Sequence, residues 1–409
     1  MNIVLEPGAS ALLDALHRAG FAAYAVGGCV RDSLLGLAPH DWDLCTAARP
    51  EQVMELFGEK QCIPTGLQHG TVTVKRNGRL YEITTFRTEG SYSDGRHPDS
   101  VAFVPDLRED LARRDFTINA MAYSAEEGLC DPFGGREDLA RGVVRAVGEP
   151  LRRFGEDALR ILRLYRFAAR FGFAIDEATE AAAKQLASHL DCVSAERIEE
   201  ELNKLLAAPQ PGAYLEPEVL AFVLPELPPE ELTKARRRID ALPAGAEQVS
   251  ARWAALLLPL GETGARKALK RLKCSNARID GAAALVRECG EKTPDALDKC
   301  DLRLQAKRLL GKYDLHTVQQ LTALWTALAP EEKASFDALR AEAEALTAQG
   351  VCCRISQLAV NGRDLMEAGA APGPGLRRVL EALLEEVITG RLPNEKTELL
   401  AFAAGFSAS

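Results

Sequence analysis

The residues with the most chemical content are Gly27-Gly28-Cys29-Val30-Arg31-Asp32 and, shortly after them, Asp41-Trp42-Asp43. A glycine pair lets backbone N–H groups approach a polyphosphate. Two carboxylates spaced i, i+2 on a strand point to one face, where they can hold a divalent metal. Each half alone is common in acidic proteins. Their order and separation predict a site for a metal-bound nucleoside triphosphate.

Three further segments bear on that site. In Tyr81-Glu82-Ile83-Thr84-Thr85-Phe86-Arg87, period-2 alternation puts Glu82, Thr84 and Phe86 on one face. A lone glutamate on a strand is more often solvated, but a third carboxylate beside Asp41 and Asp43 would complete a two-metal site. Arg113-Arg114-Asp115-Phe116-Thr117-Ile118-Asn119-Ala120 is expected at the start of a helix, with Asp115 capping that helix or orienting an arginine that reaches phosphate or sugar. Its bland alternative is an ordinary capped helix. On a helix turning about 100° per residue, Arg160, Arg163, Arg166 and Arg170 fall in an arc of about 120°. Ile161, Leu162, Leu164, Tyr165, Ala168 and Ala169 take the other face, and Asp157 lies at the seam one turn before Arg160. The arc after Asp157 holds only arginines, without the i, i+4 acid–base pairs of a solvated face. A carboxylate acceptor beside a guanidinium donor imitates the hydrogen-bonding edge of a base, so Asp157 and Arg160 are candidates to read cytosine or adenine.

The elements that must position these residues change in kind along the chain. The first 140 residues alternate short apolar runs with glycine turns; Ala22–Val26, Thr71–Val74, Tyr81–Phe86 and Ser100–Val104 read as strands, with helices at Ser10–Ala19, Val30–Leu35 and Pro50–Phe57. From Pro150 onward strand signals nearly vanish and Leu/Ala/Glu/Arg-rich helical windows follow to the end. The expected class is α+β: a small N-terminal α/β head with one mixed sheet, residues 1–140, then an all-α neck (141–208), body (209–330) and tail (331–409). With 409 residues and 47% hydrophobic content, several cores can form. No apolar run long enough to span a membrane and no leader pattern appears, so a soluble cytoplasmic protein is expected. Ten scattered cysteines, with no Cys-x-x-Cys and no zinc-like histidine spacing, read as reduced structural thiols. A net charge of −9 argues against a uniformly basic coat and leaves room for a local basic channel.

Taken in order, Gly-Gly-x-Val-Arg-Asp, Asp-x-Asp, the Glu-bearing Thr-Thr-Phe-Arg strand, Arg-Arg-Asp-Phe-Thr-Ile-Asn-Ala-Met-Ala and Glu-Asp-x-x-Arg resemble the class II CCA-adding tRNA nucleotidyltransferases. The resemblance is dense over residues 22 to about 175. Beyond it, only helical character and Asn361-Gly362-Arg363-Asp364-Leu365 match. It implies that Asp41 and Asp43 bind Mg²⁺ with Glu82 as third carboxylate, and that Gly28, Arg31 and Arg114 hold phosphates and sugar. Asp157 and Arg160 would pair with the incoming base, with Arg163 and Arg166 supporting the pocket and the triphosphate. The implied reaction is attack of a tRNA 3′-hydroxyl on the α-phosphorus of CTP, twice, then of ATP, releasing pyrophosphate.

Relatives that add only CC or only A, and poly(A) polymerases, are the alternatives within this resemblance. A non-catalytic tRNA-binding protein is the alternative outside it. The polar, glycine-bearing Thr88–Pro98 stretch is expected to be a moving loop and favours CCA or A addition. For tRNA, Arg266–Lys273 is the strongest basic cluster and Arg236-Arg237-Arg238 the next.

Overall fold

A computed structural model describes residues 3–90, 101–291 and 301–406. Two compact units make up the chain: Met1–Glu230 with Arg271–Lys273, and Glu231–Lys270 with Cys274–Ser409.

The first unit opens with α1 (Pro7–Arg18), started by Pro7 and by the Glu6 side chain accepting from the Ala9 N–H. It continues through β1 (Ala23–Val26), α2 (Gly28–Leu34), β2 (Leu44–Thr46), α3 (Pro50–Phe57), β3 (Cys62–Gly66), β4 (Thr71–Arg76) and β5 (Arg79–Thr85). A small pair follows, β6 (Arg87–Glu89) with β7 (Val101–Phe103), then α4 (Leu107–Ala112), β8 (Ala122–Ser124) and β9 (Gly128–Cys130). One mixed seven-stranded sheet has the order β3-β4-β5-β2-β1-β8-β9, with β2 and β5 parallel and the other pairs antiparallel. One face is covered by α1 on β1 and β2 and by α3 on β4 and β5. On the other, Tyr24, Val26, Cys45 and Phe86 are closed over by Leu111, Ala120 and Val147. Glu82 and Thr84 belong to this second face, as their alternation with buried Tyr81, Ile83 and Thr85 requires.

The helical part of the unit contains α5 (Gly135–Arg141), β10 (Val143–Val144), α6 (Pro150–Glu156), α7 (Leu159–Phe171), β11 (Ala174–Ile175), α8 (Glu177–Gln185), α9 (Ala195–Leu206) and α10 (Pro217–Val223). Asp157 is not part of a continuous helix: its extended backbone (φ −143°, ψ 104°) ends α6, and α7 begins two residues later. The Arg113-Arg114-Asp115 motif also departs from expectation. It follows the end of α4 instead of starting a helix, and Phe116 bridges to Ala146 before a single 3₁₀ turn at Thr117–Asn119. Residues 91–98 of the anticipated loop lie outside the described residues.

In the second unit, α11 (Leu232–Asp240), α12 (Val249–Leu257), α13 (Gly261–Arg271), α14 (Asn276–Glu291), α15 (Leu302–Lys312), α16 (Leu315–Leu328) and α17 (Lys333–Ala348) precede α18 (Gly362–Glu367), α19 (Pro374–Ile388) and α20 (Lys396–Phe406). The unit break at 230 falls within the expected body, and α15 and α16 both pack on α17 across the expected start of the tail. Asn361 begins α18 by accepting from the Arg363 and Asp364 N–H groups while Asp364 accepts from Asn361 N–H, so the Asn-Gly-Arg-Asp-Leu signature is a capping box. Among the described residues, no helix is long and apolar enough to cross a membrane.

Gly135, at the start of α5, is fixed by its neighbours: a Cβ there would lie 2.1 Å from the Thr117 carbonyl oxygen, which is backbone and cannot yield. Gly155 in α6 faces open space with ordinary φ. Gly135→Ala is expected to cost about 2 kcal/mol by overpacking, and Gly155→Ala to gain about 0.5 kcal/mol from helix propensity. Denaturant titration of both variants checks the pair.

Candidate active site

The parallel pairing of β2 with β5 aligns Leu44 with Ile83 and Thr46 with Thr85. One residue earlier on each segment, this register sets Asp43 beside Glu82. Both face a cleft of about 780 Å³ whose wall also includes Gly27, Gly28 and Arg31. Gly27 has φ 76°, a left-handed value that favours glycine, and a Cβ there would come within 2.9 Å of Arg114 Nη1. The bare turn and the arginine are therefore in contact. Asp43 is open to the cleft yet surrounded by protein; burial, followed by the charge of Glu82, raises its carboxyl above the usual range, with Arg114 opposing and Asp41 adding to the rise.

Asp41 is placed differently from expectation. Its side chain is 82% exposed, is paired with exposed His40 at 3.0 Å, and does not line the cleft. Asp41 and Asp43 precede β2 and are not within it. Among the described residues, no three His, Cys, Asp or Glu side chains converge as a metal site. Two hard carboxylates in register, with a third close enough for its charge to act on Asp43, nevertheless form a donor set suited to a hard divalent cation.

Nine arginines and four carboxylates line the cleft, a cationic excess inside an acidic chain. Most of these arginines are tied from behind. Arg113 and Arg114 share the fully buried Asp110, at 2.9 and 3.2 Å; burial would raise that carboxyl, but the two guanidinium groups hold it below its ordinary value. Arg31, buried against the Phe167 and Phe171 rings, donates to Asp32 and Asn119. Asp115 accepts from the Phe116 N–H, from Asn119 Nδ2 and, at 2.6 Å, from Arg163 Nη2. Burial opposes its ionisation, yet Arg163 and these donors keep its carboxyl far below the carboxylate range. Asp115 thus orients an arginine, one from α7, and caps no helix. Arg160 is held by Glu156 and by the carbonyls of Arg153 and Arg113. Arg166 meets Glu201 at 2.6 Å and lies over Phe167; burial pushes its guanidinium down to about 10 while Glu201 opposes, so it stays charged near neutrality. Asp157, at the α6–α7 break, accepts from the Leu159 N–H and pairs with Arg197 at 2.9 Å.

The comparisons with known proteins agree along the whole chain. Residues 23–145 match the family described as "Poly A polymerase head domain", residues 172–228 "Probable RNA and SrmB- binding site of polymerase A", and residues 246–403 "tRNA nucleotidyltransferase domain 2 putative". The CCA-adding enzyme of Limosilactobacillus fermentum is 38% identical over 97% of this chain and 96% of its own length. That of Latilactobacillus sakei is 39% identical over 96% of each. The chain belongs to the class II CCA-adding enzyme family. Among solved structures of this family, the Bacillus stearothermophilus CCA-adding enzyme in complex with CTP superposes with TM-score 0.80 at 33% identity, covering 99% of this chain and 98% of that one. The Thermotoga maritima CCA-adding enzyme complexed with tRNA, 22% identical with TM-score 0.69, shares the fold. The family generally uses a divalent metal.

Of the residues singled out from sequence, this CCA-family chain brings Gly28, Arg31, Asp43, Glu82, Arg114, Asp157, Arg160, Arg163 and Arg166 to one cleft and leaves Asp41 at its outside. Arg87, Arg197 and Glu201 were not anticipated. Arg197 and Glu201, spaced i, i+4, sit on one side of α9, a helix so rich in charged residues that the spacing did not single them out. In the basic clusters, Arg266 is tied to Glu262 and Asp280, Arg271 to Glu226 and Lys273 to Glu196. Lys267 and Lys270 are exposed and make no ion pair among the described residues. Of Arg236, Arg237 and Arg238, Arg237 alone is exposed.

Asp115→Asn is expected to lower stability by about 3 kcal/mol, since it leaves the partly buried Arg163 with only the more distant Glu201, at 3.8 Å, as paired counter-charge. The folded carboxyl titrates below the unfolded one, so the pair contributes fully above about pH 4 and progressively less as pH falls. The gap between wild type and variant, measured by urea denaturation, should therefore narrow in acid.

Proposed function

We propose that the chain adds CCA to the 3′ end of tRNA, taking two cytidylates from CTP and one adenylate from ATP and releasing pyrophosphate at each step. The observation that carries this reading is one cleft lined by a glycine turn, by paired carboxylates and by Asp157 with Arg160. A kinase-like phosphate site has no need of the last pair.

In this reading Gly27 and Gly28 leave space for the triphosphate beside Arg31 and Arg114, and Arg163 and Arg166 extend the cationic wall along it. Asp157 accepts from the exocyclic amine that cytosine and adenine share, and Arg160 donates to the neighbouring ring acceptor. Protein side chains replace a template, and their framework partners hold them in place before the nucleotide enters. Asp43 and Glu82, joined by Asp41, would hold the divalent ion, with Mg²⁺ the proposed metal; when bound, it activates the attacking hydroxyl and neutralises phosphate charge. The chain's own contribution is to align the α-phosphate with the tRNA hydroxyl and to stabilise charge as pyrophosphate leaves. No protein nucleophile takes part.

The proposed division of labour keeps a catalytic head (1–140), a base-reading neck (141–208), a body (209–330) and a tRNA-binding tail (331–409). Lys267 and Lys270 are proposed phosphate contacts for tRNA. The proposed location is the cytoplasm.

Asp43→Ala is expected to reduce nucleotide incorporation by about three orders of magnitude or more, measured at single-nucleotide resolution with tRNA transcripts lacking CCA, CA or A. Arg160→Ala should retain measurable incorporation but lower the discrimination between correct and incorrect nucleotides by about tenfold. Extension by Asp43→Ala at the normal rate, or unchanged selectivity in Arg160→Ala, would sink the corresponding role. Long A tails or arrest after CC in the wild type would refute CCA addition.

A further inference from the structure

Arg170 is the member of the α7 arginine row with the fewest ties inside the protein. It lines the nucleotide cleft. Its side chain is 44% exposed, against 10% for Arg160 and 10% for Arg166. Among the described residues its single ion pair runs from Nη2 to Asp32 at 3.0 Å, which leaves most of the guanidinium's N–H groups uncommitted. Arg163, by contrast, gives Nε and Nη2 to Asp115 and turns Nη1 toward Glu201.

The one pairing that Arg170 makes is also short of negative charge. Asp32 is buried and already accepts from Arg31 Nε at 2.8 Å, with Arg31 Nη2 at 2.7 Å. Arg31 and Arg170 each lie 4.9 Å from the centre of the Phe171 ring. One carboxylate thus serves two guanidinium groups gathered at one aromatic ring, and a positive charge is left over at the cleft surface. Burial pulls the Arg31 guanidinium below its ordinary value; Asp32 opposes that fall and Arg170 adds to it.

Position along α7 gives the surplus charge a ligand. In the nucleotide reading, Asp157 and Arg160 meet the base at the start of the helix, while Gly27, Gly28 and Arg31 meet phosphate at the start of α2. From Arg160 to Arg170 the helix advances about 15 Å, a span that matches an extended nucleoside triphosphate from base edge to last phosphate. The Asp32 pair brings Arg170 to α2 at the residue after Arg31. We infer that Arg170 binds the terminal phosphate of the incoming nucleotide through the guanidinium edge that Asp32 leaves uncommitted. This rests on the nucleotide reading of the cleft. The terminal phosphate departs as part of pyrophosphate, so the contact bears on triphosphate recognition and is blind to the base. A diphosphate or a monophosphate ends short of it.

Calorimetric titration of the full-length chain with CTP, ATP, CDP and CMP tests the assignment, at fixed Mg²⁺ and ionic strength and without tRNA, so that nothing turns over. The wild type should prefer CTP to CDP and CDP to CMP. Arg170→Ala should weaken CTP and ATP alike by about tenfold and leave CDP and CMP affinities unchanged. Arg170→Lys, which keeps the charge and loses the fork of donors, should fall between, at about threefold. Thermal melts of both variants establish that they fold, as the exposure of Arg170 predicts. A preference for CTP over CDP that survives Arg170→Ala would overturn the assignment, as would equal weakening of CTP, CDP and CMP, or a loss confined to one base. A wild type that binds CMP as tightly as CTP would refute the triphosphate site itself, and this inference with it.

Discussion

Nine guanidinium groups can line one cleft only if their mutual repulsion is offset within the protein, and the rest of the first unit is arranged around that constraint. Asp110, Asp115 and Glu201 are buried carboxylates, the first two each shared by two or more hydrogen-bond donors and Glu201 ion-paired with Arg163 and Arg166. Burying such a group costs several kcal/mol unless it is paired and its remaining lone pairs are satisfied. Here the pairing comes from arginines that also face the cleft, so the cost of desolvating the acids and the cost of gathering the cations cancel against each other. The result is a cationic wall fixed in geometry before a polyanion arrives, and fixed dipoles and charges stabilise developing charge better than groups that must reorganise.

The break between α6 and α7 belongs to the same arrangement. Had the helix run through residue 157, the Asp157 side chain would be committed to the direction of the helical surface. The extended backbone at Asp157 instead turns its carboxylate toward α9, where Arg197 meets one oxygen while the Leu159 N–H meets the other. Arg160, one turn on, is held by Glu156 and two backbone carbonyls. An acceptor and a donor presented from a braced turn can distinguish hydrogen-bonding edges. The same two groups on a freely rotating helical surface would lose that discrimination to side-chain entropy.

Legibility in the sequence followed how local each feature is. The alternation of β4 and β5 and the arginine period of α7 are properties of consecutive residues, and both were readable, as was the head-then-helices order. The three-residue strands β2, β8 and β9 carry too few positions to show a period, and β2 and β8 are buried throughout. Asp115 reads locally as a helix cap because it precedes an apolar run. In the fold, Phe116 is taken by a bridge to Ala146 and the carboxylate by Arg163, and both partners are distant in sequence. Glu201 and Arg197 were passed over for the same reason: nothing within their own helix says which distant arginine or carboxylate they meet.

Arg114 is where the two halves of the first motif meet physically. Asp43, just ahead of β2, is set beside Glu82 of β5 by the parallel register of the two strands, and burial with like charge makes Asp43 hold its proton more tightly than a free carboxyl does. Arg114 is the cation that acts against this shift, and its guanidinium reaches the glycine turn so closely that a side chain at Gly27 would displace it. Asp110 holds it from the opposite side. The glycine at 27 is therefore required twice, by its left-handed backbone and by the arginine against it. Loss of either would move positive charge away from Asp43 and leave two neighbouring carboxylates less compensated, which ties the spacing of Gly-Gly and Asp-x-Asp to electrostatics as much as to the shape of a bound triphosphate.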